Sequence, residues 1–220
     1  MKIIKTIFYL QALLVISTTS CAQNKTKKTK ETNKVMNTVN NDSLSTAVFG
    51  AGCFWCVEAV FQQVNGITKI ESGYSNGDVK NPTYREVCDG RTGHAEVCKI
   101  WFDSNIVSYE TLLSIFWQTH DPTTLNQQGN DRGTQYRSAI FYNSESQKLA
   151  AEKYKIDLDQ SGAFSNPIVT EIAAVNNYFP AEDYHQNYYN QNSQQSYCQY
   201  VIAPKLEKFK KVFGDKFSKK

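Results

Sequence analysis

The chain reads as one α/β or α+β domain carrying polar ends. Segments with strand patterning alternate with segments of helical period through most of its length. Its 220 residues are 40% hydrophobic and 20% charged, enough apolar material for one ordinary core. A mean hydropathy of −0.50 with a single long apolar run excludes a polytopic membrane protein. No internal repeat is present, so repeat architectures are excluded as well.

Each element has its own signal. Ala47-Val48-Phe49-Gly50 is a short apolar run ended by glycine, which predicts a buried strand. Val57, Val60, Phe61 and Val64 follow at i, i+3, i+4 and i+7, one face of a helix. Asn65-Gly66 stops it, and 67–74 returns to strand patterning. Asn76-Gly77 and Asn81-Pro82 mark a loop. Residues 95–102 alternate as a strand, and 109–119 place Leu112, Leu113, Phe116 and Trp117 on a helix. Residues 121–134 are turn-rich. A strand over 138–142, a helix over 144–160 and a strand over 168–174 follow. The next stretch is rich in aromatics and amides with little periodicity. Leu206, Phe209, Phe213 and Phe217 then predict a final helix over 204–217.

The formal net charge of +3 hides an asymmetry. Residues 47–204 carry ten basic and seventeen acidic side chains, a net −7. The excess of lysine sits in residues 1–46 and 205–220. An acidic body with basic ends argues against nucleic-acid binding, which needs a basic groove on the fold itself. Lys2 and Lys5, the mostly apolar stretch 7–16, and small residues 17–20 ahead of Cys21 resemble a bacterial lipoprotein export signal. That reading removes residues 1–20, lipidates Cys21, and places the protein in the cell envelope, anchored to a membrane. Residues 21–46 then form a disordered polar tether, and the folded domain spans 47–217.

Chemistry concentrates at Gly52-Cys53-Phe54-Trp55-Cys56, a strand-to-helix junction. Unpaired backbone N–H groups and the helix dipole there favour a thiolate on Cys53, and the thiolate is the nucleophile. Cys53 and Cys56 also make a C-x-x-C, which alone suggests disulfide exchange or half a zinc site. No second close cysteine pair supports zinc, since Cys88 and Cys98 lie ten residues apart. Cys56, Cys88 and Cys98 read as packing. Further along, 81–88 and 93–96 supply Tyr84 and Glu96, and 129–138 supplies Asp131 and Tyr136. Cys198 lies in the aperiodic stretch near the end.

In this order the segments GCFWC at 52–56, NPTYREVC at 81–88, TGHAE at 92–96, FWQTHDPT at 116–123, QGNDRGTQYRS at 128–138, YFPAED at 178–183, HQ at 185–186 and YCQYVIAPK at 197–205 resemble the methionine sulfoxide reductase A family. The likeness spans essentially all of 47–205. It implies an α+β fold, a two-layer α/β sandwich with a ferredoxin-like mixed sheet and flanking helices. It also implies reduction of the S epimer of methionine sulfoxide, protein-bound or free. On that reading Cys53 attacks the sulfoxide sulfur, Glu96 is the acid, and Tyr84 and Tyr136 are donors to the oxygen. Phe54 and Trp55 hold the methyl group. Asp131 helps bind the substrate, and His185 lines the pocket or orients a loop. Cys198 resolves the Cys53 sulfenic acid as a disulfide. No cofactor or metal is bound; a thioredoxin-type protein, or dithiothreitol in vitro, restores the dithiol. The enzyme is expected to be a monomer.

Two other readings remain open at this point. A thioredoxin-like oxidoreductase would use Cys53 and Cys56 on protein disulfides and leave Cys198 dispensable. A lipid-anchored binding module would recognise oxidised methionine without turnover.

Overall fold

The computed structural model describes residues 44–214. The predicted export signal, the Cys21 lipidation site, nearly all of the tether and Phe217 lie outside them. The sheet begins at Leu44, inside the stretch assigned to the tether, because Leu44 already pairs with Asp103.

Strands β1 (Leu44–Ala51), β2 (Ile67–Ser75) and β3 (Ala95–Asp103) form an antiparallel unit in which β3 lies between the other two. Helix α1 (Phe54–Phe61) links β1 to β2. Helix α3 (Tyr109–Thr119) leads from β3 toward β6 (Ser138–Tyr142), which pairs with the free side of β1. This is a β-α-β-β-α-β unit with β6, β1, β3 and β2 side by side, the ferredoxin-like arrangement. Helix α4 (Glu145–Ser161) then crosses to β7 (Glu171–Ala174), which adds parallel to β6. On the far edge β8 (Tyr178–Pro180) adds antiparallel to β2. The fold is thus a mixed sheet with helices packed on it.

Side chains alternate across the sheet, and the two faces differ. Ala47, Phe49 and Ala51 of β1 and Cys98, Ile100 and Phe102 of β3 face the helices in the main core. Val48, Ala95, Val97, Ala139 and Phe141 form a smaller cluster on the other face. Phe49 is the keystone, its ring 5.6 Å from Phe61 of α1 and 5.1 Å from Phe116 of α3. Each such fully buried side chain contributes about 1.5–3 kcal/mol relative to exposure.

The ends of the elements follow local chemistry. Ser108 caps α3 and Ser144 caps α4, each hydroxyl accepting a backbone N–H three residues on. Gly162 closes α4 at φ 68°. The loop expected between 76 and 94 contains a short helix α2 (Tyr84–Cys88), started by a Thr83–Glu86 capping box. The turn-rich stretch holds a small ribbon, β4 (Gln127–Gln128) with β5 (Asp131–Arg132). The aperiodic stretch holds β8, helix α5 (Tyr188–Asn192) and a wide π-helical turn over Cys198–Ile202. That turn runs directly into helix α6 (Ala203–Phe213). Strand β7 starts at Glu171 rather than at 168, since Ile168 and Val169 bond instead to Asp159 and Pro122.

Candidate active site

Strand β1 hands the chain to α1 through Gly52, whose φ is +86°. A Cβ there would lie 2.5 Å from the Gln128 Cβ, so only glycine fits beside the ribbon. The turn makes Cys53 the N-cap of α1. Its side chain caps no backbone N–H. The first amide of the helix, Phe54 N–H, is taken by Glu96, which accepts it on Oε2 at 3.1 Å. Glu96 arrives from β3, on the same face of that strand as Cys98 and Ile100. Cys98 buttresses the junction from beneath, its thiol donating to the Phe54 carbonyl at 3.4 Å.

These groups open onto a pocket of about 160 Å³. Cys53, Phe54, Trp55, Tyr84, Glu96, Asp131 and Tyr136 all line it, and so does Tyr197. Seven of the nine side chains expected at a catalytic or binding site therefore meet in one cavity. His185 and Cys198 do not line it. His185 sits behind Trp55 and accepts the indole N–H on Nδ1 at 3.1 Å. Its ring also stands 4.4 Å from that of Tyr84. It is therefore a side chain that orients two pocket residues. Cys198 is fully buried in the π-helical turn, and the five cysteines among the described residues are all free thiols.

Burial sets the protonation of the acid. Glu96 has lost its water, and its carboxyl is pushed up to about 8 despite the Phe54 amide, with the Asp131 charge adding to the rise. It is a neutral acid at pH 7. Tyr84 and Tyr136 are both raised by burial, so their phenols stay protonated donors.

The thiols differ from expectation. Burial, and then a hydrogen bond to Cys56, push the Cys53 thiol up. The Cys56 thiol is brought down to about 6, chiefly by the Cys53 hydrogen bond and then by the Lys205 ammonium, against burial. The two thiols are thus pushed in opposite directions, Cys53 up and Cys56 down. The helix amide that was expected to stabilise Cys53 is occupied by Glu96.

A sequence profile of peptide methionine sulfoxide reductases matches residues 45–217. The chain belongs to that family. The peptide methionine sulfoxide reductase MsrA of Trichodesmium erythraeum is 53% identical over 175 residues, 80% of this chain and 99% of its own. The MsrA of Leptospira borgpetersenii is 54% identical over 170 residues, 77% of this chain and 95% of its own. Among solved structures, reduced Mxr1 from Saccharomyces cerevisiae aligns with a TM-score of 0.67 at 32% identity, covering 72% of this chain and 91% of that one.

Three residues of this reductase site escaped the sequence reading. Tyr197 donates its hydroxyl to Asp131 Oδ2 at 2.7 Å and lies 3.8 Å from the Cys56 sulfur. Glu182 accepts from the Tyr74 hydroxyl and from the Tyr84 backbone N–H, both at 2.8 Å, and so seats α2 against the pocket. Lys205 lines a small cavity with Cys56 under α1. Tyr197 and Lys205 stand inside the YCQYVIAPK segment, and Glu182 inside YFPAED, so the motifs held the signal without assigning the parts. Cys88 corrects one expectation in the opposite direction: it is exposed at the end of α2 and packs in no core.

Proposed function

We propose that this protein reduces the S epimer of methionine sulfoxide, protein-bound or free, to methionine. The observation that carries the reading is the buried Glu96 carboxyl sharing one pocket with the Cys53 thiol and the Tyr84 and Tyr136 phenols. Cys53 sulfur attacks the sulfoxide sulfur as the S–O bond breaks. The oxygen and a proton pass to Cys53 as a sulfenic acid, and the thioether leaves. Glu96 donates to the departing oxygen while Tyr84 and Tyr136 hold it by hydrogen bonds. Phe54 and Trp55 supply apolar faces for the methyl group. Asp131, oriented by Tyr197, faces the rest of the substrate. Cys198 then attacks the sulfenic sulfur, a disulfide forms and water leaves, and a thioredoxin-type dithiol reduces the bridge. An assay on separated epimers tests the reading. Reduction of the S form alone is expected; reduction of the R form alone, or of neither, overturns it. We also propose a monomer held in the cell envelope by a lipid on Cys21. Incorporation of labelled fatty acid that disappears in Cys21→Ala is the expected result.

A further inference from the structure

Behind Tyr84 stands a carboxylate outside the pocket lining, that of Glu182. Its Oε1 accepts the Tyr84 backbone N–H and its Oε2 accepts the Tyr74 hydroxyl, both at 2.8 Å. Burial opposes its charge, but the Tyr84 amide, its own backbone N–H and the Tyr74 hydroxyl hold the carboxyl below its ordinary value. Both oxygens are therefore acceptors at neutral pH. Tyr74 is fully buried on β2. Glu182 itself belongs to a segment locked onto that strand. Gln186 accepts the Ser72 N–H and donates to the Ser72 and Ala181 carbonyls, each at 2.9 Å. The Ala181 N–H donates to the Ser72 carbonyl, also at 2.9 Å.

We infer that Glu182 is a positioning residue for the sulfoxide chemistry: it fixes the Tyr84 phenol relative to the sheet. The inference rests on the reductase reading above and adds to it a residue outside the pocket. Three observations carry it. First, Tyr84 opens α2, and the first N–H of a helix has no partner inside the helix. Glu182 supplies that partner. Second, α2 has only five residues, too few to hold their place through their own hydrogen bonds. Its capping box joins Thr83 to Glu86 and is local. Among the described residues, the Tyr84–Glu182 bond is the hydrogen bond that joins α2 to a distant element. Third, the other oxygen of the carboxylate is held by Tyr74, so the anchor belongs to the sheet and not to the loop.

The path from sheet to phenol thus runs through Gln186 and Tyr74 to Glu182, and from Glu182 to the α2 backbone. The His185 ring, 4.4 Å from that of Tyr84, bounds the tilt of the phenol. It hangs on the same residue, since the His185 N–H donates to the Glu182 carbonyl at 2.9 Å. A phenol that must meet a departing oxygen tolerates little displacement, because a shift of about 1 Å can cost about a hundredfold in rate.

The test is a double-mutant cycle read as methionine release from the S sulfoxide in a single turnover of the reduced enzyme. Glu182→Ala should slow that release about ten- to a hundredfold, the scale of a displaced donor to the reacting oxygen. The half-saturating sulfoxide concentration should change by less than about twofold, because the phenol acts chiefly on the departing oxygen. Glu182→Gln should keep most of the rate, since its carbonyl can accept the Tyr84 N–H while its amide donates to the Tyr74 hydroxyl oxygen. In a Tyr84→Phe background, Glu182→Ala should cost little more, because the phenol it positions is already gone. The same fold-loss in both backgrounds overturns the inference, since Glu182 would then serve the fold at large. An unchanged rate in Glu182→Ala, or a glutamine variant as slow as the alanine one, overturns it too. Glu182→Asp, one methylene shorter, enters the same cycle if the alanine variant does not fold. An unaltered enzyme that releases no methionine from the S sulfoxide overturns the reductase reading, and this inference with it.

Discussion

At the scale of residues, the site is an arrangement of proton positions. Glu96 owes its neutral form to burial, and this has two measurable consequences. The acid is available below about pH 8 and is lost above it, so turnover should fall as pH rises through that value. Stability follows the same proton. Between an unfolded value near 4.5 and the folded value of about 8, the native state holds a proton that the unfolded chain has released. Stability therefore falls as pH rises through this window, by up to a few kcal/mol. Glu96→Gln should lose turnover, and its melting temperature should gain on that of the wild type from pH 5 to pH 9, by roughly the same free energy. A constant difference across that range would show that burial does not hold the proton. Lys205 acts on the other proton. Lys205→Met should raise the Cys56 thiol above about 6, read as a shift of the ultraviolet thiolate absorbance on titration. Cys53, Glu96, Tyr84 and Tyr136 were legible because each sits in a specific motif. The opposite shifts of the two thiols were not. They depend on burial, on Glu96 occupying the Phe54 amide and on a lysine about 150 residues away in sequence, which local spacing does not encode.

At the scale of elements, α1 organises the pocket from its first turn. Its entry depends on Gly52, which has both a left-handed backbone and no room for a methyl group. Gly52→Ala should cost about 1–3 kcal/mol of stability in thermal unfolding. It should also lower kcat/KM by more than about tenfold, because Cys53 and the ribbon shift relative to each other. Intact activity in Gly52→Ala would mean that the junction tolerates another path. The long elements were readable from periodicity: α3 and β6 lie where the pattern placed them. The short ones were not. Five residues of α2 and three of β8 are fewer than a period can mark, and tertiary bonds to Glu182 and to the β2 edge define them. Glu58 shows the same limit. It is a buried carboxylate on the core face of α1 and reads locally as an error. It accepts the Asn187 and Tyr188 backbone N–H groups at 2.8 and 3.1 Å and pins α5 to α1.

At the scale of the molecule, the two thiols of the proposed cycle sit in different surroundings. Cys53 faces the pocket, while Cys198 is closed inside the turn before α6. If Cys198 resolves the sulfenic acid as proposed, the π-helical turn has to release it from full burial. Cys198→Ser should release one equivalent of methionine promptly and then stall with a thioredoxin-type protein, while dithiothreitol still supports turnover. Peptide mapping of the stalled protein should show no bridge at Cys53. A Cys53–Cys56 bridge there, with continued thioredoxin-driven turnover, would assign resolution to Cys56. The sheet order was readable only as an alternation of strands and helices. Placing β3 between β1 and β2 required the pairing of residues far apart in sequence.

The indole of Trp55 lies flat on Tyr188, with ring centroids 3.6 Å apart and planes 4° from parallel. It also meets the edge of Tyr197 at 5.8 Å. Tyr188 opens α5 and Tyr197 directly precedes the turn that holds Cys198. The other two tryptophans are Trp101 on β3, under the Lys69 and Lys99 ammonium groups, and Trp117 buried on α3. Trp55 is thus placed to serve as an optical gauge. If the Cys198 turn moves during recycling, the emission of Trp55 should change with it, and stopped flow can then time the cycle without attaching a dye.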